Sequence, residues 1–252
     1  MHFRSTNGMN RLLRTGLAYG REWLFGKGCA LCGDPLLEPS EYQFCLCTNC
    51  QSHFSLEFAS ELRCPRCGRP LISEKTVCMA CRQRESPPYD YALSLYPYQG
   101  VAKDLLANYK FQRNLQLGWF LATKMVESRR YLSSLGFEYD AWVPVPPRAG
   151  KLKEKGWDQM ATLSQYISAL EANKNVPVAP CLKRLPSESQ KKLHRTERTI
   201  NLKGKILTVH RVPKRVLLFD DVITTGATMR SCAESLRQGG AESVGVIALF
   251  YD

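Results

Sequence analysis

Short apolar runs alternate with amphipathic stretches over the C-terminal two-thirds of the chain, and this alternation predicts the fold class. Leu93-Ser94-Leu95-Tyr96 and Ala141-Trp142-Val143-Pro144-Val145 read as strands. Val216-Leu217-Leu218-Phe219 is apolar without alternation, the pattern of a central parallel strand buried on both faces. Ser243 to Leu249 reads as another strand. Between the runs, Val101, Leu105, Leu106 and Tyr109 recur at helical spacing over 101–112, residues 115–134 also read as helix, and Leu163, Ile167 and Leu170 mark one helical face. A further helix over 227–238 is stopped by Gly239-Gly240. Strands interleaved with helices predict an α/β protein with an open, parallel sheet.

The pattern changes upstream. Residues 28–88 are polar and cysteine-rich, lack long apolar stretches, and close on Ser86-Pro87-Pro88, which reads as a stiff linker. Residues 1–27 are basic, and charges interrupt their apolar positions, which suits a short amphipathic helix laid on the following module. Met9 is a second candidate start. Three parts are therefore expected: 1–27, 28–88 and 89–252. No run approaches the roughly 18 apolar residues of a membrane span, and no signal peptide is evident. The expected location is cytoplasmic.

Eleven cysteines occur in 252 residues, nine of them between Cys29 and Cys81. Eight form Cys-x-x-Cys pairs: Cys29/Cys32, Cys47/Cys50, Cys64/Cys67 and Cys78/Cys81. Two such turns facing one another make a tetrahedral sulfur cage, for which zinc is the natural occupant. Two structural zinc ions are expected, because a module this small lacks apolar mass. Spacing leaves sequential and cross-brace pairing open. It also leaves open whether Cys45 replaces Cys47. Gly33 and Gly68 follow the second cysteine of two pairs, where glycine lets backbone amides turn toward thiolates.

The segment Asp220-Asp221-Val222-Ile223-Thr224-Thr225-Gly226-Ala227-Thr228 leaves the predicted central strand and opens a helix. Ligands bind at that place in open α/β sheets. Paired carboxylates can accept hydrogen bonds from a vicinal diol. Thr224, Thr225 and Thr228 offer hydroxyls, Gly226 and Ala227 let the backbone close on an oxyanion, and the helix adds its N-terminal amides. The full segment resembles the signature of the type I phosphoribosyltransferases. That resemblance implies a phosphoribosyltransferase-like sheet, here behind a cysteine module that sequential pairing would make a double zinc ribbon. It further implies phosphoribosyl pyrophosphate, or another ribose 5-phosphate ligand, with Mg²⁺. Asp220 and Asp221 would be catalytic and hold the ribose hydroxyls, and Thr224, Thr225, Gly226, Ala227 and Thr228 would hold the 5-phosphate.

Four cysteine pairs followed by this segment resemble the ComF/GntX family of bacteria, linked to natural competence and DNA utilisation. Val143-Pro144-Val145-Pro146, Lys155-Gly156-Trp157-Asp158-Gln159, Gln190, Leu193, Arg198 and Asn201 match further family motifs. Lys155 stands for a family arginine, Asp158 for an asparagine and Arg113 for a glycine. The base-recognising hood of the superfamily would fall over 89–115, where Tyr98 and Lys110 are candidates. Other competence proteins are possible partners.

Charge adds one feature. The net charge is +12, of which residues 1–90 carry +2. Residues 183–215 alone hold eleven Lys and Arg against Glu188 and Glu197. Lys191, Lys192, Arg195 and Arg198 are candidates for pyrophosphate or single-stranded DNA. The plainer reading is a solvated surface loop. Aromatic residues are absent from the stretch, so any base stacking would come from Tyr96, Tyr98, Trp119 or Trp157, which suit a core better. Two mechanisms stay open: an active transferase, or a site kept for binding in a DNA-associated adaptor. The alternative function is an active phosphoribosyltransferase of nucleotide metabolism with no direct DNA role.

Overall fold

The computed structural model describes residues 28–56, 62–148, 156–186 and 204–252. In chain order, the helices are α1 (Pro39–Phe44), α2 (Thr48–Ser52), α3 (Met79–Arg82), α4 (Val101–Gln112), α5 (Leu115–Ser134), α6 (Gln159–Glu171) and α7 (Ala227–Gln238). The strands are β1 (Tyr91–Pro97), β2 (Ala141–Pro144), β3 (Leu182–Arg184), β4 (Ile206–Thr208), β5 (Arg215–Ile223) and β6 (Ser243–Tyr251). The expected helices over 101–112, 115–134 and 227–238 have those bounds, and Gly239 caps the last.

Four strands form one parallel sheet in the order β1-β6-β5-β2. The two apolar runs without alternation are its central strands, because helices cover both faces. On one face, Leu217, Phe219 and Ile247 pack with Leu105, Leu117, Phe120 and Leu163 of α4, α5 and α6. On the other, Val216, Leu218 and Val246 pack with Met229, Cys232 and Leu236 of α7, and with Leu182 and Ile206 of the antiparallel β3–β4 pair. Trp142 and Tyr96 are buried in the core, and Trp119 and Trp157 are half-buried, as their pattern suggested. The expected N-terminal amphipathic helix lies outside the described residues.

The cysteine module is docked on the sheet, so Ser86-Pro87-Pro88 is no free linker. Gly68 comes so close to β1 that an added Cβ would lie 2.4 Å from the Leu93 backbone. With φ at +74°, that position suits glycine twice over. The Ser94 hydroxyl donates to the Cys67 carbonyl at 2.6 Å, and Arg63 donates to the carbonyls of Gly68 and Ser94. The module thereby covers an edge strand whose backbone would otherwise invite pairing. Arg230 of α7 donates to the Glu85 and Ser86 carbonyls, pinning the connection.

One buried carboxylate organises the N-terminal part of the module. Glu41 is 4% exposed. It accepts from the Thr48 hydroxyl at 2.7 Å, from Glu38 N–H at 2.9 Å, and from the N–H groups of Leu37 and Thr48. Burial pushes its pKa up, but these hydrogen bonds outweigh burial and hold it at about 2 against an ordinary 4.5. A depressed carboxylate contributes stability above its unfolded pKa and loses it as pH falls through the folded one. Glu41→Gln is therefore expected to reduce stability by about 1–3 kcal/mol at pH 7. Paired urea titrations should show the deficit shrinking as pH falls from 4.5 towards 2.

Candidate functional site

The cysteines form two cages. Sulfurs of Cys29, Cys32, Cys47 and Cys50 lie within 4.8 Å of one another, as do those of Cys64, Cys67, Cys78 and Cys81. Pairing is thus sequential: the first two pairs share one cage and the last two the other. The shortest recorded separations are 3.6 Å (Cys32–Cys47) and 3.7 Å (Cys67–Cys78). Tetrahedral zinc with sulfur ligands at ~2.3 Å would hold them about 3.8 Å apart. Four thiol donors leave no open position, so these are structural sites. Cys45 is not a member. It caps α1 with φ of 56°, and its thiol reaches the Gly28 carbonyl. His53 is exposed and no ligand.

Local turns set each cage. Gly33 and Gly68 have φ of 81° and 74°, and their N–H groups donate to the carbonyls of Cys29 and Cys64. Cys47 and Cys78 are the N-caps of α2 and α3. Burial opposes the charge of Arg69, but the thiolates of Cys67, Cys78 and Cys81 more than restore it, raising its pKa. Metal analysis of the purified chain is expected to give about two zinc ions per chain, by the four-ligand rule. A zinc-free, folded chain would contradict this.

The second site lies where β5 runs into α7. Asp220 and Asp221 belong to the strand itself, so successive side chains point to opposite faces. This corrects the expected side-by-side carboxylate pair. Asp221 is buried on the α4–α6 face, 2.9 Å from Lys110 Nζ and 2.8 Å from Gln159 Nε2. The Tyr109 hydroxyl donates to the Gln159 carbonyl at 2.6 Å, and burial, then Asp221, raise the pKa of that phenol. Lys110, a candidate hood residue from the sequence, is the ionic partner of Asp221. Tyr98 packs on Phe250 with ring centroids 6.0 Å apart, and Lys103 lies over its ring.

Asp220 is half-buried on the α7 face. There it acts electrostatically on Arg184 and Cys232. Arg184 is 9% exposed, and its Nε and one terminal nitrogen are buried without a partner. Burial lowers its pKa, Arg148 lowers it further, and Asp220 opposes both. Buried guanidinium nitrogens without acceptors suit an anion. Neither Arg148 nor Arg184 stood out as a ligand group in the sequence. A buried arginine ending a short strand shows no local signal.

Beyond Ile223 the chain turns through exposed Thr224 and half-buried Thr225 to Gly226, whose φ of 76° starts α7. The Thr225 hydroxyl accepts from Ala227 N–H at 3.3 Å. The Thr225 carbonyl accepts from Arg84 of the cysteine module at 2.8 Å. The loop thus leads from a central strand into the N-terminus of α7 and is braced from outside the sheet.

Two departures from the family pattern gain a physical meaning. Asp158 caps α6, accepting from Met160 N–H at 2.9 Å, a task asparagine does equally well. Arg113 ends α4 with φ of 55°, where glycine carries no penalty. Lys155 and the candidates Lys191, Lys192, Arg195 and Arg198 lie outside the described residues, as do Gln190, Leu193 and Asn201.

Residues 21–82 match the model of the double zinc ribbon domain. Competence protein ComFC of Bacillus subtilis is 29% identical over 223 residues, covering 85% of this chain and 86% of its own. Competence protein ComFC of Streptococcus pneumoniae is 25% identical over 237 residues, covering 88% and 98%. Over most of its length this chain is therefore similar to the ComF competence proteins. The DNA utilization protein YhgH of Escherichia coli is 27% identical over 192 residues, covering 74% of this chain and 82% of its own.

Among solved structures, the hypoxanthine-guanine phosphoribosyl transferase of L. donovani aligns at 12% identity with a TM-score of 0.31, over 53% of this chain and 71% of its own. The hypoxanthine phosphoribosyl transferase of Trypanosoma cruzi gives 14% and 0.30, over 54% and 63%. These superpositions are loose. The α/β class itself is plain from the parallel sheet, with the Asp-Asp to Thr loop at the end of a central strand and the double cysteine cage docked beside it. No helix of the described residues is long and apolar enough to cross a membrane.

Proposed function

We propose that this protein serves natural competence or DNA utilisation by binding a ribose 5-phosphate ligand, phosphoribosyl pyrophosphate foremost, at the Asp220–Thr228 loop. The observation that carries the reading is the oxyanion cradle itself: Gly226 in the left-handed conformation, at the start of α7 and the end of a central parallel strand. Amides and hydroxyls of Thr224 through Thr228 would hold the 5-phosphate. Asp220, half-exposed, would accept from the ribose hydroxyls and share Mg²⁺ arriving with the pyrophosphate. Arg184 and Arg148 would face the pyrophosphate charge. Asp221, already paired with Lys110, would act by holding the strand end and α6 in register.

Calorimetry with phosphoribosyl pyrophosphate and Mg²⁺, paired with a pyrophosphate-release assay on candidate acceptors, tests this directly. Binding with release that Asp220→Asn abolishes supports a transferase. Binding without release supports a ligand-dependent adaptor. No binding at millimolar ligand overturns the proposal.

Single-stranded DNA is the second proposed partner, on the cations of residues 183–215, in a cytoplasmic setting. Reversing Lys191, Lys192 and Arg195 together is expected to weaken oligonucleotide binding and flatten the slope of log affinity against log salt by about 2, at ~0.7 per lost phosphate contact. An unchanged affinity and slope would remove this segment from the DNA surface.

A further inference from the structure

A cavity of about 720 Å³ opens directly beside the phosphate cradle, between it and the second cysteine cage. Thr224 to Ala227 form one wall. Arg66, Arg69, Arg84 and Arg230 line the rest, with Met79 and Tyr89 among them. Three of the four arginines come from the cysteine module and its connection, so the cavity exists only because the module is docked.

The charge in this cavity is poorly balanced. Arg84 donates to the Thr225 carbonyl, Arg230 to the carbonyls of Glu85 and Ser86, and Arg66 to those of Cys81 and Arg84. A carbonyl satisfies a donor without neutralising the cation, and each guanidinium has five N–H donors. Glu85 is the one acid in the lining, 3.9 Å from Arg230, with its side chain 94% exposed. Arg69 answers the thiolates of its own cage. Against four guanidinium charges stand Glu85 and the zinc-loaded cage, whose four thiolates leave it about two charges negative, so the lining stays cationic by about one charge.

We infer that the cavity is a second phosphate subsite, so that, besides phosphoribosyl pyrophosphate, whose 5-phosphate would fill the cradle alone, the site takes a ribose whose 5-phosphate is linked to a further phosphate. The inference rests on the proposed reading of the loop as a ribose 5-phosphate cradle. A terminal monoester would leave the cavity without an anion. A phosphoanhydride or phosphodiester continuing from the 5-phosphate would carry its next charge into it, where paired guanidinium N–H groups match phosphate oxygens. The shared chemistry is a linked second phosphate. Its source is a free nucleoside diphosphate or a polynucleotide.

Competition binding on the zinc-loaded full chain separates the possibilities. The probes are ribose 5-phosphate, thymidine 5′-monophosphate, thymidine 5′-diphosphate and the trinucleotide d(TpTpT). At least one extended probe is expected to bind roughly tenfold tighter than the monophosphate, a typical return for one charge-assisted contact. An advantage for the diphosphate alone identifies a free nucleotide, and one for the trinucleotide alone a polynucleotide. Met79 is 75% exposed at the rim. Met79→Glu should remove the advantage and leave monophosphate affinity within twofold. Equal affinity for all thymidine probes, or an advantage that Met79→Glu does not touch, overturns the subsite while the loop reading stands. Ribose 5-phosphate failing to bind at millimolar concentration overturns both.

Discussion

Asp221→Ala should lose about 3–5 kcal/mol of folding stability, far more than a surface acid would cost. Lys110 and Asp221 expose only 17% and 11% of their side chains. Removing the carboxylate strands a cation in that setting, and leaves the Gln159 amide without its acceptor. The loss should therefore depend on the partner that stays behind. Replacing the pair together, Lys110→Met with Asp221→Leu, is expected to recover most of it, because a buried ion pair often gains little over well-packed apolar side chains. A double-mutant cycle by urea unfolding reads the coupling. If the single variant unfolds like wild type, Asp221 has no buried ionic role. Its part in the site must then be direct.

The second large effect concerns zinc, and it should be asymmetric. Cys64→Ser breaks the cage that carries Gly68, Arg66 and Arg84 onto β1 and the Thr224–Thr228 loop. Structural zinc supplies about 10 kcal/mol or more of apparent folding free energy, so that half of the module should unfold. The brace on the Thr225 carbonyl goes with it. Affinity for a ribose 5-phosphate ligand should fall at least tenfold, the scale of one lost charge-assisted hydrogen bond. Cys29→Ser also loses one zinc. Its cage packs through Leu46 and Phe54 on the α5 side of the sheet, away from the loop, so ligand affinity should change little. Metal content and calorimetry on both variants test the contrast. Equal losses from the two cages would mean that the module acts only by general stability.

Much of this was legible in the sequence, for identifiable reasons. Val216 to Phe219 and Ser243 to Leu249 are apolar without alternation, and only central parallel strands bury both faces. Gly239-Gly240 marked the end of α7 because no side chain can fill that turn as easily. Cysteine pairs report themselves through covalent spacing. Which pairs meet is a matter of tertiary packing, and the structure settles it as sequential.

What could not be read is mostly long-range. Asp220-Asp221 looks like a matched pair when written in line, yet strand geometry turns the two carboxylates apart. Lys110 and Gln159 reach Asp221 from 111 and 62 residues away in the sequence. Arg84 sits in a segment that looked like the end of a separate module, and nothing local says that it touches Thr225. Asp158 stands where the family motif has asparagine, and only the folded chain shows it as the N-cap of α6.

The most direct test is a crystal structure of the chain grown with phosphoribosyl pyrophosphate and Mg²⁺. A 5-phosphate is expected within hydrogen-bonding distance of the backbone amides of Thr225 through Thr228, with Asp220 against the ribose hydroxyls. A bare loop with the ligand bound elsewhere, or no ligand at saturating concentration, would contradict it.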